Sequence, residues 1–494
     1  MRKKQVILIM TDTTRKDMLG CYGNTGMKTP NLDRLSEEGI RFDRAYTTQP
    51  VCGPARSCLF TGLMPHSNGM ISNSMPLGEN VVTVGKRLAD NGYKCGYIGK
   101  WHLDGTDYFG NGICPEGYED KYWYDMRRYL NELTEEERVN SRNPQYALKN
   151  GIGEDFTYAH RCANRAIDYI NENLDNDFFL TLSFDEPHGP SLCPEPFNKM
   201  YEGYKFPFYP SYKDTLDNKP YYQKLWAQAN AGKTPEELND TNEFFSLFLG
   251  CNSFVDYEVG RVREVIDKLD NPMVIFTSDH GDACGAHRLF AKGATVYEDI
   301  AGVPLMIKCG ESDKVSNMPA SHLDIVPTIL DYMGVNQPKI LEGKSILPHI
   351  KDVSEKINDE VYCEFTRYEI DHDGFGGLQM MRAVIDERYK LAIHLLDTDE
   401  LYDNLEDPYE LNNLINDEKY KDIRNRLHDK LLNFMNETRD PYRGYQWKVR
   451  SWREVDEMSW ENDGYTRQRE NEEYEVRQLD YNTGLEMEEA IRRK

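Results

Sequence analysis

The residues best placed to do chemistry together begin with Cys52-Gly53-Pro54-Ala55-Arg56, continued by Ser57-Cys58-Leu59-Phe60-Thr61-Gly62. Pro54 suits the first turn of a helix, where the N–H it lacks would have no intrahelical partner. Cys52 then sits at a helix N-terminus. Positive partial charge there favours an anionic nucleophile or a bound anion, and Arg56 adds a full charge one turn on. A lone cysteine before an ordinary helix is more often a buried structural residue, so its weight depends on what else comes to the same place. The candidates are Asp12 and Thr13, Lys100 and His102, Asp185 to His188, Asp279 and His280, and Lys292 further on.

Most of these groups follow a short apolar run: 6–10 before Asp12, 93–98 before Lys100, 178–184 before Asp185 and 273–277 before Asp279. Runs of this kind are parallel strands buried on both faces, which deliver functional groups at their C-terminal ends. Four of them describe one strand-edge crevice. Crossover helices are predicted between them, at 31–38 and along Val255, Val259, Val262, Ile266 and Leu269, with another at 324–333 closed by Gly334. The fold class is α/β, with a mainly parallel central sheet flanked by helices in a large domain over 1–351. Segments 104–153 and 191–241, rich in Tyr, Asn, Asp and Pro, read as insertions that shape the rim. Short alternating segments at 361–365, 379–385 and 389–394, then a helix carrying Ile423, Leu427, Leu431 and Phe434, predict a small antiparallel-sheet domain over 352–451. A charge-dense tail covers 452–494.

The chain has 494 residues, enough for two domains, and no apolar run long enough to span a bilayer. The apolar stretch 6–10 behind a basic start is too short for a secretory signal, and eleven scattered cysteines do not make a disulfide framework. A cytoplasmic location is expected. A net charge of −25 excludes nucleic acid and anionic membrane as natural partners. Any anionic substrate needs a local cationic pocket.

Cys52-x-Pro54-x-Arg56 with Leu59-x-Thr61-Gly62 resembles the signature of the Cys-type sulfatases of the alkaline phosphatase superfamily. Further ordered blocks extend the resemblance over most of the chain: Asp12, Leu19-Gly20-Cys21-Tyr22-Gly23, Thr29-Pro30-Asn31-Leu32-Asp33, Gly99-Lys100-Trp101-His102, and Thr277-Ser278-Asp279-His280-Gly281. Lys292, Tyr297-Glu298, Val303-Pro304-Leu305, Glu400-Leu401-Tyr402-Asp403, Asp407-Pro408 and Asn413-Leu414 continue it. The resemblance implies an alkaline-phosphatase-like domain followed by a small α+β domain, and hydrolysis of a sulfate monoester of an aryl, steroid or small carbohydrate alcohol. It implies that a separate maturation enzyme oxidises Cys52 to formylglycine (3-oxoalanine). One hydroxyl of the hydrated aldehyde would attack sulfur, and loss of the other's proton would then eject sulfate.

By the same resemblance, Asp12, Asp279, His280 and the modified side chain 52 hold one divalent metal, with Ca2+ the first choice and Mg2+ or Mn2+ as alternatives. Arg56 and Lys100 would steady the formylglycine oxygen. Lys292 and His188 would bind sulfate, one of them protonating the departing alcohol, and His102 would take the second hydroxyl proton. His287 is either structural or a rim contact. Trp123, Trp226 and Trp447 are candidates for stacking on a sugar or an aromatic ring. The implied partners are a small-molecule sulfate ester and the maturation enzyme, with a homo-oligomer left open.

The chain departs from the family pattern at Thr13, where most sulfatases have a second aspartate. One carboxylate fewer makes the metal site less negative. Phosphonate monoester and phosphodiester hydrolases of the same superfamily often have an uncharged residue there, which makes them the second reading. A non-catalytic, metal-dependent anion-binding protein is a third, from a different class.

Overall fold

In the computed structural model, which describes residues 3–105, 108–310, 312–368, 377–453, 479 and 483–486, the four apolar runs lie side by side. The large domain carries strands β1 (Gln5–Asp12), β2 (Ile40–Phe42), β3 (Ala45–Tyr46), β4 (Lys94–Gly99), β5 (Phe178–Pro187), β6 (Met273–Ser278), β7 (Leu305–Lys308), β8 (Lys314–Ser316) and β9 (Ala320–Ser321). Seven of them form the central sheet in the order β4-β5-β1-β6-β7-β2-β8, while β3 and β9 pair separately. The strands β4, β5, β1 and β6 are mutually parallel, with Ile9 level with Leu182 on one side and Phe276 on the other. Beyond β6 the sheet is mixed: β7 runs antiparallel to β6 and β2, and β8 is parallel to β2.

Every residue of β1 is buried, which is why its sequence is an unbroken apolar run rather than an alternation. Its side chains still divide by the strand period of two. Ile7 and Ile9 join one core with Leu32, Leu35, Ala163, Val255, Val259 and Val262, from helices Pro30–Glu38, Tyr158–Glu172 and Glu243–Ile266. Val6, Leu8 and Met10 join the opposite core with Leu59, Phe60, Ile325 and Ile329, from helices Cys52–Thr61 and Ile325–Met333. Burial of each such side chain is worth about 1.5–3 kcal/mol, so β1 ties both layers together. Helix Glu243–Ile266 begins well before Val255, where its periodicity becomes legible, and is capped by Asn242, which accepts from the backbone of Phe244 and Phe245.

Past residue 352 lie β10 (Glu360–Tyr368), β11 (Gly377–Asp386), β12 (Tyr389–His394) and β13 (Glu400–Asp403), an antiparallel sheet in chain order. Helix Lys421–Glu437 lays Leu427, Leu431 and Met435 against Val384, Leu391 and Ile393. Trp447 is buried in this core, and Trp123 is buried against Tyr97 and Trp101. Trp226 packs half-buried beside Leu216 and Tyr297. Trp123 and Trp447 are therefore packing residues rather than ligand platforms, whereas Trp226 keeps part of its surface exposed. Most of the expected tail, beyond Arg453, lies outside the described residues. Among the described residues, no helix is long and apolar enough to cross a membrane.

Candidate active site

Because β4, β5, β1 and β6 are adjacent and parallel, their C-terminal ends bring Lys100, Asp185, Asp12 and Asp279 to one edge of the sheet. Helix Cys52–Thr61 points its N-terminus at the same place, with Cys52 as its first residue and Asn73 Oδ1 accepting from Gly53 N at 2.9 Å. The helix ends at Gly62, whose φ of 70° is the left-handed conformation that closes helices.

Arg56 organises the centre. It is fully buried, and its Nε meets Asp279 Oδ2 at 3.0 Å while Nη2 meets Asp12 Oδ2 at 3.1 Å. Its Nη1 donates to Lys100 O and Ser183 Oγ, both at 2.8 Å. With both Oδ2 atoms on the guanidinium, the two Oδ1 atoms face the remaining donors. Asp12 Oδ1 lies 3.7 Å from Cys52 Sγ and 3.8 Å from His280 Nε2, and Asp279 Oδ1 lies 3.6 Å from His280 Nε2. His280 Nδ1 is 2.8 Å from Gly281 O, which can only accept. That nitrogen therefore carries a proton, and Nε2 is the atom turned to Cys52 Sγ, 3.2 Å away.

These four donor atoms all lie within 4.8 Å of one another, and all four residues are buried. Two oxygens, an imidazole nitrogen and a position to be occupied by the side chain at 52 suit a hard divalent cation. The electrostatics agree. Burial and the neighbouring Asp12 push the Asp279 carboxyl up to about 7, only partly relieved by His280 and Arg56. A cation between the two carboxylates would offset this mutual repulsion.

Lys292 Nζ stands 2.8 Å from Cys52 Sγ, and Lys100 Nζ stands 2.7 Å from Asp12 Oδ2 and 3.0 Å from Asp185 Oδ1. Burial and Asp12 raise the Cys52 thiol, but Lys292, Lys100 and His280 outweigh them and hold it well below its ordinary value. Burial likewise opposes the charge on Asp12, yet Lys100, His188, Lys292 and Arg56 hold its carboxyl well below the usual range. Lys292 also lines a cleft of about 420 Å3, together with His188, Thr13 and residues of the 191–241 insertion and its flank, among them Lys233, Asp240 and Phe244. The cationic group nearest the cysteine thus faces the space open to a substrate.

Seven of the sequence-predicted residues, Asp12, Cys52, Arg56, Lys100, Asp279, His280 and Lys292, are joined by direct contacts. His102 and His188 stand one layer out, each against the ring of Tyr108, at 5.4 and 5.2 Å between centroids. His287 belongs to a separate buried group, with Nδ1 2.6 Å from Asp214 Oδ2 and its ring stacked 3.7 Å from Tyr297. Asp185 is a candidate from the sequence, as the residue that follows the apolar run of β5, but without an assigned role; Tyr108 is not among the candidates. Tyr108 is one of many tyrosines in an aperiodic segment and had no such signal.

A parallel strand edge and a helix N-terminus that gather two carboxylates, an imidazole, a cysteine, two buried cations and the half-buried Lys292 define a hydrolase of the alkaline phosphatase superfamily. The Sulfatase family model matches residues 4–335 and the N-sulphoglucosamine sulphohydrolase C-terminal model matches residues 285–437. The chain belongs to the sulfatase family and is a sulfuric ester hydrolase. It is 41% identical over 98% of its length to the Escherichia coli (strain K12) protein named "Uncharacterized sulfatase YidJ", of which the match covers 97%. It is 25% identical over 90% of its length to the N-acetylglucosamine-6-O-sulfatase of Bacteroides thetaiotaomicron, covering 87% of that protein. Among solved structures, BT4656 in complex with its substrate D-glucosamine-2-N,6-O-disulfate superposes with a TM-score of 0.72 at 20% identity, over 89% of this chain and 99% of that one. The phosphonate monoester hydrolase of Agrobacterium radiobacter gives 0.71 at 24% identity, over 88% and 96%. At these identities the two structures share the fold.

Proposed function

We propose that the chain hydrolyses the sulfate monoester of an aryl, steroid or small carbohydrate alcohol, using Cys52 after its conversion to formylglycine by a separate maturation enzyme. In this reading, Asp12 Oδ1, Asp279 Oδ1, His280 Nε2 and the side chain at 52 hold one divalent cation, Ca2+ before Mg2+ or Mn2+. The observation that carries it is the division of labour at Arg56, which takes one oxygen from each carboxylate and leaves the other two converging with His280 on Cys52. Cys52 Sγ stands for the position from which the hydroxyls of the modified residue would project. A cation bound there polarises a sulfate oxygen and templates the nucleophile beside it.

The protein's own groups supply the rest. Lys292, which reaches both Cys52 and the cleft, draws in the anionic ester and balances charge developing on sulfate. Lys100 and Arg56 keep Asp12 ionised and fixed in direction. His188, on the cleft wall, exchanges a proton with the alcohol oxygen, and His102 serves the proton of the second hydroxyl. The second reading, a phosphonate monoester or phosphodiester hydrolase, draws on Thr13, which leaves the strand end with one carboxylate fewer than most sulfatases have.

The test is turnover of a chromogenic aryl sulfate beside its phosphodiester and phosphonate counterparts. The protein is coexpressed with a formylglycine-generating enzyme, and Cys52→Ala serves as the control. Preference for the sulfate, abolished in the control, is the expected result. Preference for the phosphorus esters would replace the first reading with the second. A thiol persisting at Cys52 in mass spectra of protein from its native host would remove the formylglycine step.

A further inference from the structure

Tyr108 enters the site from the 104–153 insertion and touches no ligand position, yet four side chains of the site, Asp185, His188, Lys100 and His102, meet on it. Its hydroxyl is in a short hydrogen bond with Asp185 Oδ1 and lies 2.9 Å from His188 Nδ1. The carboxylate can only accept, so the tyrosine proton points to Asp185 and Oη is left to accept from the histidine. His188 Nδ1 is also 3.0 Å from Gly189 O, another obligate acceptor. Nδ1 therefore carries a proton shared between Tyr108 and Gly189, and Nε2 is the nitrogen available to the cleft that His188 lines. The phenol ring is held independently by packing: Lys100 Nζ lies 4.0 Å from its centroid, and His102 and Phe109 meet it edge-on at 5.4 Å.

We propose that Tyr108 is a positioning residue for proton transfer to the departing alcohol, linking Asp185 to His188 so that His188 works through Nε2. This rests on the sulfate-ester reading above. As the bond from sulfur to the alcohol oxygen breaks, its electron pair passes to that oxygen, which takes the proton from His188 Nε2. Sulfur's new bond forms in the same displacement to a hydroxyl oxygen of the hydrated side chain at 52, whose proton passes to water in the cleft. The imidazole is left neutral, with its Nδ1 proton still shared by Tyr108 and Gly189. Burial, Lys100 and Lys292 hold the His188 pKa below its ordinary value, so that the protonated ring gives up its Nε2 proton readily, while Asp12 and the Asp185 charge, relayed through the Tyr108 hydroxyl dipole, partly offset them.

The proposal predicts a dependence on the leaving group, because an alcohol that departs readily as an anion needs no proton. Tyr108→Phe keeps the ring and its packing and removes only the relay. In formylglycine-bearing protein, we expect its kcat/KM for an unactivated alkyl or sugar sulfate to fall by about 30-fold relative to that for 4-nitrophenyl sulfate. His188→Ala should show the same selectivity, and the double variant should lose little beyond it, as residues acting as one unit do. A uniform loss across leaving groups, or losses that multiply in the double variant, would overturn the proposal by making Tyr108 merely structural. Should Tyr108→Phe not fold, Asp185→Asn breaks the same relay at its other end and must show the same selectivity. Wild-type protein that turned over no sulfate ester would sink the underlying reading and the proposal with it, a result distinct from an active enzyme without leaving-group dependence.

Discussion

Thr13 Oγ1 donates to Asp12 Oδ1 at 2.7 Å, and its backbone N–H reaches Asp279 Oδ1 at 3.2 Å. One residue thus holds both carboxylate oxygens that face Cys52 and His280. It does so with φ at 76°, a region costly for a β-branched side chain. Thr13→Val, which keeps the shape and loses the hydroxyl, should weaken Ca2+ binding about tenfold in calorimetry of chelator-stripped protein. Thr13→Asp should tighten it by a similar factor, because a third carboxylate joins the cluster. Equal affinities in all three proteins would place residue 13 outside the cation's reach.

Arg56→Lys preserves the charge and loses the fork. A lysine ammonium is a point charge that cannot span Asp12 Oδ2, Asp279 Oδ2 and Ser183 Oγ at once. Leaving one buried carboxylate without its partner costs about 3–5 kcal/mol. The expected outcome is a thermal transition several degrees lower in chelator, together with lost turnover. An unchanged transition would mean that the two carboxylates do not depend on the guanidinium.

Gly99→Ala should be among the most damaging single-atom additions. Gly99 has φ of 118°, and a Cβ there would fall 1.8 Å from Ser183 O, the atom that accepts from Lys100 N. The two strands must part or Lys100 must move. A loss of more than about 2 kcal/mol is expected in denaturant titration, with activity falling further than stability explains. Full activity in a destabilised protein would separate the backbone clash from the placement of Lys100.

His322 makes stability depend on pH. Its Nε2 donates to Ser278 O at 3.1 Å, and burial, reinforced by His280 and Arg56 and opposed by that hydrogen bond, pushes its pKa down to about 3. The folded value lies below the ordinary 6.5. The neutral ring's contribution is therefore whole above pH 6.5 and is lost as pH falls from there toward 3, at about 1.4 kcal/mol per unit. In urea titrations between pH 7 and 5, His322→Gln should remove this component of the slope. An identical pH dependence in both proteins would mean that the imidazole takes up its proton without cost.

The four central strands and their terminal groups were legible because strands buried on both faces cannot alternate. Their apolar runs stop where Asp12, Lys100, Asp185 and Asp279 begin. The cysteine helix was legible from Pro54 and Gly62. By contrast, β2, β7 and β8 are three or four residues long and carry no periodicity. The 104–153 insertion looked featureless because its short helices, such as Met126–Asn131 and Glu135–Asn140, are set by caps at Asp125 and Thr134 rather than by an apolar stripe. Tyr108 was illegible for a deeper reason: its importance comes from contacts with Asp185 and His188, dozens of residues away. Trp123 and Trp447 misled for the converse reason, since large aromatic rings fill cores as readily as they line clefts.

Cys52 is 1% exposed once the domain has closed, and its burial depends on β6, which begins more than two hundred residues later in the chain at Met273. During synthesis at roughly 5–20 residues per second, that separation leaves an interval of about 10 s or more in which the Cys52 segment has emerged and the sheet cannot yet be complete. On the formylglycine reading proposed above, the enzyme that oxidises Cys52 would have to reach it in that interval, or in a chain held unfolded afterwards. The order in which the strands leave the ribosome therefore bears on whether a molecule is born active, and a chain that folds too promptly would be well formed and chemically inert.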